Sequence, residues 1–169
     1  MALINLVDRV SEEIDNNNVT LGIFLDLSKA FDTIDHTILL NKLNYYGVTG
    51  IANNWFNSYL NDRKQFVQIG QTISKTLSIS CGVPQGSILG PLLFIIYIND
   101  IANVSKLFDL NMFVDDTNLF IKDCNIDSLV ANTNNELLKI GSWFRLNKLS
   151  LNIKKTNFYT VHEKKEETV

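Results

Sequence analysis

Residues 111–121 read NMFVDDTNLFI, and in them two adjacent carboxylates, Asp115 and Asp116, stand between the apolar runs Met112-Phe113-Val114 and Leu119-Phe120-Ile121. The pattern predicts strand, tight turn, strand, with the acids at the tip. Like charges side by side repel, so a fold that gathers them usually has a cation to hold. A third carboxylate, Asp26, closes the apolar run Gly22-Ile23-Phe24-Leu25. Three carboxylates at strand ends can bind two Mg²⁺ ions, the arrangement used for in-line phosphoryl transfer. An isolated Asp-Asp pair at a turn is more often merely solvated, so the surrounding chain has to decide.

Outward from the hairpin, apolar spacing lays out the other elements. Leu3, Leu6, Val7, Val10 and Ile14 predict an amphipathic helix over 2–16, ended by Asn16-Asn17-Asn18. Thr20–Leu25 reads as a buried strand. Asp35 is placed to cap a helix carrying Ile38, Leu39, Leu40 and Leu43, closed by Gly47. A further helix is expected over Gly50–Leu60, with Trp55, Phe56 and Tyr59 on one side. Gln65–Ile69 and Thr72–Ile79 read as strands around Gly70-Gln71, and Ile88–Asn99 as a helix with Pro91 in its first turn. Leu129, Val130, Leu137, Ile140, Trp143 and Phe144 fit a long amphipathic helix, and Asn157–Val161 a last strand. This order is not a regular βαβ alternation. It favours an α+β domain, helices packed on one face of a mainly antiparallel sheet. Domain organisation is then one body over 1–161 and a charged tail over 162–169.

Composition narrows the function classes. A chain of 169 residues with 46% hydrophobic residues can bury one core. Net charge is −3, with three basic and seven acidic side chains in 1–60, four and three in 61–110, and eight and eight in 111–169. No segment has the excess of Lys and Arg that grips phosphate. Cys81 and Cys124 have no Cys-x-x-Cys spacing, which argues against a zinc site or a disulfide framework and for a reducing compartment. Acidic residues interrupt the N-terminal apolar positions, so no signal peptide is expected. The longest apolar stretch, 88–98, is too short to span a bilayer, so no membrane partner is expected.

Four motifs follow one another: LGIFLDLSKAFDTIDH at 21–36, CGVPQGSILGPLLFIIYINDI at 81–101, FVDDTNLF at 113–120 and LNKLSLNIKKT at 146–156. With WFNSYLNDRKQFVQIG at 55–70 between the first two, they closely resemble the palm of a reverse transcriptase of the non-LTR (LINE-type, jockey-like) retrotransposon group. The resemblance runs from about Leu21 to about Val161. It implies a right-hand polymerase palm and RNA-directed DNA synthesis from dNTPs on an RNA template with a DNA primer. By resemblance, Asp26, Asp115 and Asp116 are the catalytic carboxylates. They hold two Mg²⁺ (or Mn²⁺) ions, with the Leu27 carbonyl as a further ligand.

The resemblance also assigns a nucleotide pocket. Phe31, which periodicity alone makes a core aromatic, becomes the gate that excludes a ribose 2′-hydroxyl. Lys29 and Ala30 line the same pocket through their backbone. Gln85 contacts the incoming nucleotide, and Gly86, counted in the same pocket, is one of the glycines that make room for the template. Without the resemblance, Gly82–Ser87 is a plain turn whose glycines allow close approach. Lys155 would face the triphosphate, against the alternative of a solvated basic turn. Asp32, Asp35 and Asp100 are expected to be helix caps or surface charges. Arg63, Lys64 and Lys75 are candidates for touching the template–primer backbone. Val114 departs from the alanine common at that position of the group.

The resemblance further leads to the expectation of a palm-centred fragment, with fingers incomplete and thumb absent. Endonuclease and cysteine-rich regions of the parent polyprotein are expected to lie elsewhere, and the parent element to act intracellularly, in cytoplasm and nucleus. The isolated chain is then expected to be feeble or inactive, because positioning is most of phosphoryl-transfer catalysis. The alternative is a non-catalytic truncated relic or a nucleic-acid-binding fragment. A metal-dependent nuclease or phosphatase would use the same acids but explains neither Phe31 nor the Pro84-Gln85-Gly86 loop.

Overall fold

A computed structural model describes residues 2–113 and 116–162. It is α+β, as the pattern predicts, and divides into two compact units. The first takes in the described residues of Met1–Ser28, Ile101–Arg145 and Ser150–Val169, and the second Lys29–Asp100 and Leu146–Leu149.

The first unit contains α1 (Ala2–Asp15), β1 (Val19–Leu25), β6 (Asp109–Phe113), β7 (Asp116–Asp123), nearly all of α5 (Ile126–Leu146) and β8 (Asn157–Val161). Its four strands form an antiparallel sheet in the order β6-β7-β1-β8. Strand alternation sorts the side chains. Leu21, Ile23 and Leu25 share a face with Thr117, Leu119 and Ile121, and all six are buried. Burying a side chain the size of Leu119 stabilises by about 2 kcal/mol.

Gly22, Phe24, Phe120 and Tyr159 lie on the other face. Phe24 makes edge-on contacts with Phe120 at 5.9 Å and with Tyr159 at 5.7 Å. A Cβ on Gly22 would stand 2.9 Å from the Phe120 ring, so the missing side chain lets that ring lie across the strand. Val10 and Ser11 of α1 meet this face and line, with Thr20 and Phe24, an apolar pocket of about 320 Å³. A Glu13–Lys122 ion pair ties α1 to β7. Asn125 caps α5 by accepting from the Asp127 amide at 2.8 Å and the Ser128 amide at 3.2 Å. Helix α5 buries Leu129, Ile140, Trp143 and Phe144 at helical spacing. Strand β8 is a sheet edge with all five residues exposed, Phe158 at 73%.

The second unit holds α2 (His36–Tyr45), α3 (Gly50–Leu60), the short strands β2 (Lys64–Gln65), β3 (Gln68–Ile69), β4 (Thr72–Ile73) and β5 (Leu77–Ser78), and α4 (Leu89–Ile98), which runs on into a 3-10 turn at Asn99. Asp35 caps α2 as its position predicts, accepting from the Ile38 amide at 3.0 Å. Asn53 of α3 reaches the Leu40 carbonyl at 3.1 Å and the Val48 carbonyl at 3.0 Å, which fixes α3 on α2. Leu39, Leu43, Leu60, Leu93, Phe94 and Tyr97 form the core. Lys42 reaches from α2 to the Tyr97 carbonyl at 2.5 Å and to Asp100 at 2.7 Å, so Asp100 is half of an ion pair. Burial pushes the Lys42 ammonium down, and Asp100 opposes that shift.

Candidate active site

In the first unit, β6 and β7 form the expected hairpin. Phe113 pairs with Asp116, so the connection is the two residues Val114 and Asp115. Both lie outside the described residues, and Asp116 is described by its backbone alone. Strand β1 runs antiparallel to β7 with Leu25 opposite Thr117. The paired register ends there, with Asp26 next after Leu25 and Asp116 next before Thr117. Two of the three predicted carboxylates therefore come from opposed ends of neighbouring strands, 90 residues apart in sequence.

Past β1 the chain is held on its other side. The Asn152 amide donates to the Asp26 carbonyl and the Ser28 amide to the Ser150 carbonyl, each at 2.8 Å, around a Leu27–Leu151 bridge. This is the widely spaced antiparallel pair, in which the central residue spends neither its own N–H nor its own C=O. The bridge thus occupies the Asp26 carbonyl and leaves the Leu27 carbonyl out of the pairing. Lys155 stands on the turn that follows. There the Asn152 carbonyl accepts from the Lys155 and Thr156 amides at 3.0 Å and from the Thr156 hydroxyl at 3.1 Å. The Lys155 side chain is exposed. Among the described residues there is no group of three or more His, Cys, Asp or Glu side chains placed to hold a metal ion; two of the three expected carboxylates fall outside that set. Asp26, half-buried at the strand end, and the unspent Leu27 carbonyl are hard oxygen donors of the kind Mg²⁺ takes.

In the second unit, the segment 29–36 and the loop 81–86 are zipped together. Lys29 has φ +51° and turns the chain; its carbonyl accepts from the Asp32 amide at 2.9 Å. Ala30 is buried, and Phe31 packs on Phe94 with ring centres 5.0 Å apart. The Phe31 carbonyl accepts from the Val83 amide at 2.8 Å, and the Ile34 carbonyl from the Gly82 amide at 2.7 Å. Asp35 bridges Cys81, and the buried His36 ring meets the Gly82 carbonyl through Nε2 at 2.7 Å.

Gly82 is required where it stands. Its φ is +83°, and a Cβ would meet the Asp32 carbonyl oxygen at 2.8 Å and Cα at 2.9 Å. Gln85 and Gly86 are exposed beyond this clamp, and Gln85 Nε2 donates to Asp32 Oδ1 at 2.8 Å. The five expected pocket residues of this unit therefore lie on two segments that the backbone holds together. His36 is the member that sequence reasoning did not single out, while Asp32, expected as a cap or surface charge, instead accepts from Gln85.

Supporting charges sit behind the clamp. Lys148 Nζ lies 2.6 Å from Asp35 Oδ2 and, with the Ile38 amide, holds that carboxyl below the usual range. The buried Tyr97 hydroxyl donates to the Asn147 carbonyl at 2.7 Å and accepts from the Asp35 amide at 3.4 Å. Burial pushes Tyr97 up to about 12. Arg63 lies 6.0 Å from the Tyr59 ring, while Lys64 and Lys75 are exposed.

Residues 4–168 match the family model described as reverse transcriptase (RNA-dependent DNA polymerase). The chain is 27% identical over 164 residues to a probable RNA-directed DNA polymerase from transposon BS of Drosophila melanogaster, covering 89% of this chain and 17% of that protein. It is 26% identical over 151 residues to the RNA-directed DNA polymerase from mobile element jockey of the same species, covering 82% and 16%. It thus spans about a sixth of the length of the curated relatives it matches. Among solved structures it is similar in fold to telomerase from Candida albicans, in complex with a TWJ fragment of telomeric RNA. There the TM-score is 0.64 at 14% identity, over 92% of this chain and 31% of that one. Telomerase from Candida tropicalis in its apo form, truncated from the C-terminal domain, gives 0.63 at 15% identity over 95% and 36%.

Proposed function

This chain belongs to the reverse transcriptase (RNA-dependent DNA polymerase) family, and from that premise we propose that it is the palm of a non-LTR retrotransposon polymerase, extending a DNA primer on an RNA template from dNTPs. The observation that carries this reading is the β1–β7 register, which ends with Leu25 opposite Thr117, one residue before Asp26 on one strand and one after Asp116 on the other. In this reading Asp26, Asp115, Asp116 and the Leu27 carbonyl hold two Mg²⁺ ions. Bound there, the ions supply charge neutralisation at the attacking 3′-oxygen and the departing pyrophosphate.

The chain's own residues do the positioning. Phe31, backed by Phe94, closes the space a 2′-hydroxyl would need. Lys29 and Ala30 present backbone to the nucleotide, and Gln85 and Gly86 meet it from the opposite segment of the clamp. Lys155 offers an ammonium to the triphosphate. Orientation and electrostatics dominate phosphoryl transfer.

Among the described residues no helix is long and apolar enough to cross a membrane. We place the parent element's work inside the cell, in cytoplasm and nucleus, with the rest of the polyprotein supplying template and primer grip. The test is primer extension on poly(rA)/oligo(dT) with Mg²⁺ and dTTP. Asp26→Asn, and the double change Asp115→Asn with Asp116→Asn, are each expected to lower extension by at least about 10²–10³-fold, the scale of losing one preorganised electrostatic group. Extension that survives in the double variant refutes the carboxylate assignment.

A further inference from the structure

His36 opens α2 as a buried side chain, and its ring reaches a residue 46 positions further along the chain, in the loop 81–86. There Nε2 lies 2.7 Å from the Gly82 carbonyl oxygen. A carbonyl only accepts, so Nε2 carries the proton and donates. The Gly82 carbonyl and the Val83 N–H belong to one planar peptide group. That group is held at its other side as well, because the Val83 amide donates to the Phe31 carbonyl at 2.8 Å.

The permissive backbone of glycine makes this peptide group the point at which the loop can turn over. The Gly82 amide is tied to the Ile34 carbonyl at 2.7 Å, so rotation is left to the far side of its Cα. Turning the Gly82–Val83 peptide over breaks the His36 and Phe31 bonds together. Beyond it the chain is stiff, since Val83 is buried and precedes Pro84, which confines its backbone to extended conformations. The direction of the Gly82–Val83 peptide is therefore passed on to Pro84-Gln85-Gly86. We propose that His36 is a positioning residue whose Nε2–H latches the Gly82–Val83 peptide and so keeps the loop 81–86 in the arrangement that receives the incoming nucleotide. This rests on the nucleotide pocket proposed above. The backbone bonds that zip 29–36 to 81–86 survive a change of side chain, whereas the His36 bond is a buried one that a substitution removes.

The test uses the ¹⁵N-labelled full chain as wild type, as His36→Leu, which has no donor, and as His36→Gln, whose side-chain NH₂ ends near the position of Nε2. Should His36→Leu not fold, His36→Asn takes its place, since its amide stops near the position of Nδ1, short of the carbonyl. Amide hydrogen exchange without nucleotide reads the latch, and an NMR titration with Mg²⁺ and dTTP reads the pocket. His36→Leu is expected to speed exchange at Val83 by about tenfold, the scale of one buried hydrogen bond. Its dTTP affinity is expected to fall by about three- to tenfold, because a smaller share of the chains holds the competent loop. His36→Gln is expected to restore both to within about twofold of wild type. Unchanged Val83 exchange in a folded variant without the donor overturns the inference. So does a His36→Gln chain as impaired as His36→Leu, which assigns the effect to packing of the ring. Equal speeding at Val83 and at Leu43 of α2 marks a loss of global stability alone and also overturns it. Faster Val83 exchange with undiminished dTTP affinity overturns the link to the nucleotide. Wild type that binds no dTTP, while Val83 responds as expected, overturns the pocket reading instead and leaves the latch in place.

Discussion

Gly82→Ala isolates what the clamp between 29–36 and 81–86 requires. Two costs add at that position. The first is conformational, since φ is +83° and an L side chain in that region costs about 1–2 kcal/mol. Reduced freedom of the unfolded chain returns about 0.4–1 kcal/mol. The second is steric. The new Cβ would stand 2.8 Å from the Asp32 carbonyl oxygen and 2.9 Å from its Cα. These are backbone atoms, and Asp32 cannot retreat without disturbing the Gly82–Ile34 and Val83–Phe31 hydrogen bonds. Overpacking of this kind costs about 1–3 kcal/mol. Gly86→Ala is the internal control, because φ is +77° there but nothing lies within 4 Å of the new Cβ. It carries only the first cost, about 0–1.6 kcal/mol after the offset. Urea denaturation followed by circular dichroism should therefore separate the two variants by about 1–3 kcal/mol. At a slope of about 1–3 kcal/mol per molar that is a midpoint difference on the order of 1 M. Equal midpoints for the two variants would refute the close approach of Gly82 to Asp32.

Two further outcomes follow from the groups behind the clamp. Asp35→Ala removes the cap of α2 and is expected to cost about 1–2 kcal/mol at neutral pH; the exposed end of the Lys148 pair adds little. Lys148 and the Ile38 amide depress the Asp35 carboxyl. Its contribution is therefore present above the unfolded value, about 3.9, and is lost as pH falls through the lower folded value. Urea midpoints of wild type and variant should converge as pH drops below about 4, and a constant gap down to pH 2 argues against the pair. Tyr97 is raised to about 12 by burial, so its stabilisation holds below the unfolded value near 10 and fades as pH rises through 12. Near-ultraviolet absorbance should show a last tyrosine ionisation there, missing in Tyr97→Phe. A last step that persists in the variant assigns it to another of the five tyrosines.

Most elements were legible because local signals agreed with tertiary need. Asp35 ahead of Ile38, Leu39 and Leu43 states a capped amphipathic helix, and α2 starts at His36. Val19–Leu25 is an apolar run of strand length, and β8 has the predicted bounds. The segment 65–79 was less legible. Two continuous strands were expected, yet the ladder breaks into β2–β5 and β3–β4 with a one-residue offset between them. The Ser74 hydroxyl takes the Val67 amide at 2.9 Å and donates to the Lys75 carbonyl, a local bond that competes with pairing and makes a bulge.

At the site, the residues with a motif around them were readable, whereas their supports were not. Asp32 meets Gln85, His36 meets Gly82 and Lys148 meets Asp35 across 53, 46 and 113 positions. No periodicity carries information over such separations. A lone aspartate before a helix correctly suggests a cap, but it says nothing about a second partner.

The β1–β7 ladder also sets how the coding sequence can decay. Side chains alternate with period two, so a shift of one residue turns every later position to the other face. Loss of a single codon within β1 leaves an apolar run of nearly unchanged composition, yet it shifts Asp26 by one place against β7. Substitutions among Leu21, Ile23 and Leu25 that keep bulk leave that register intact. An in-frame deletion in β1 thus spares hydrophobicity, reading frame and all three aspartates, and displaces the first of them all the same. A copy that retains the three aspartates is to be judged as intact by the length of β1 as well.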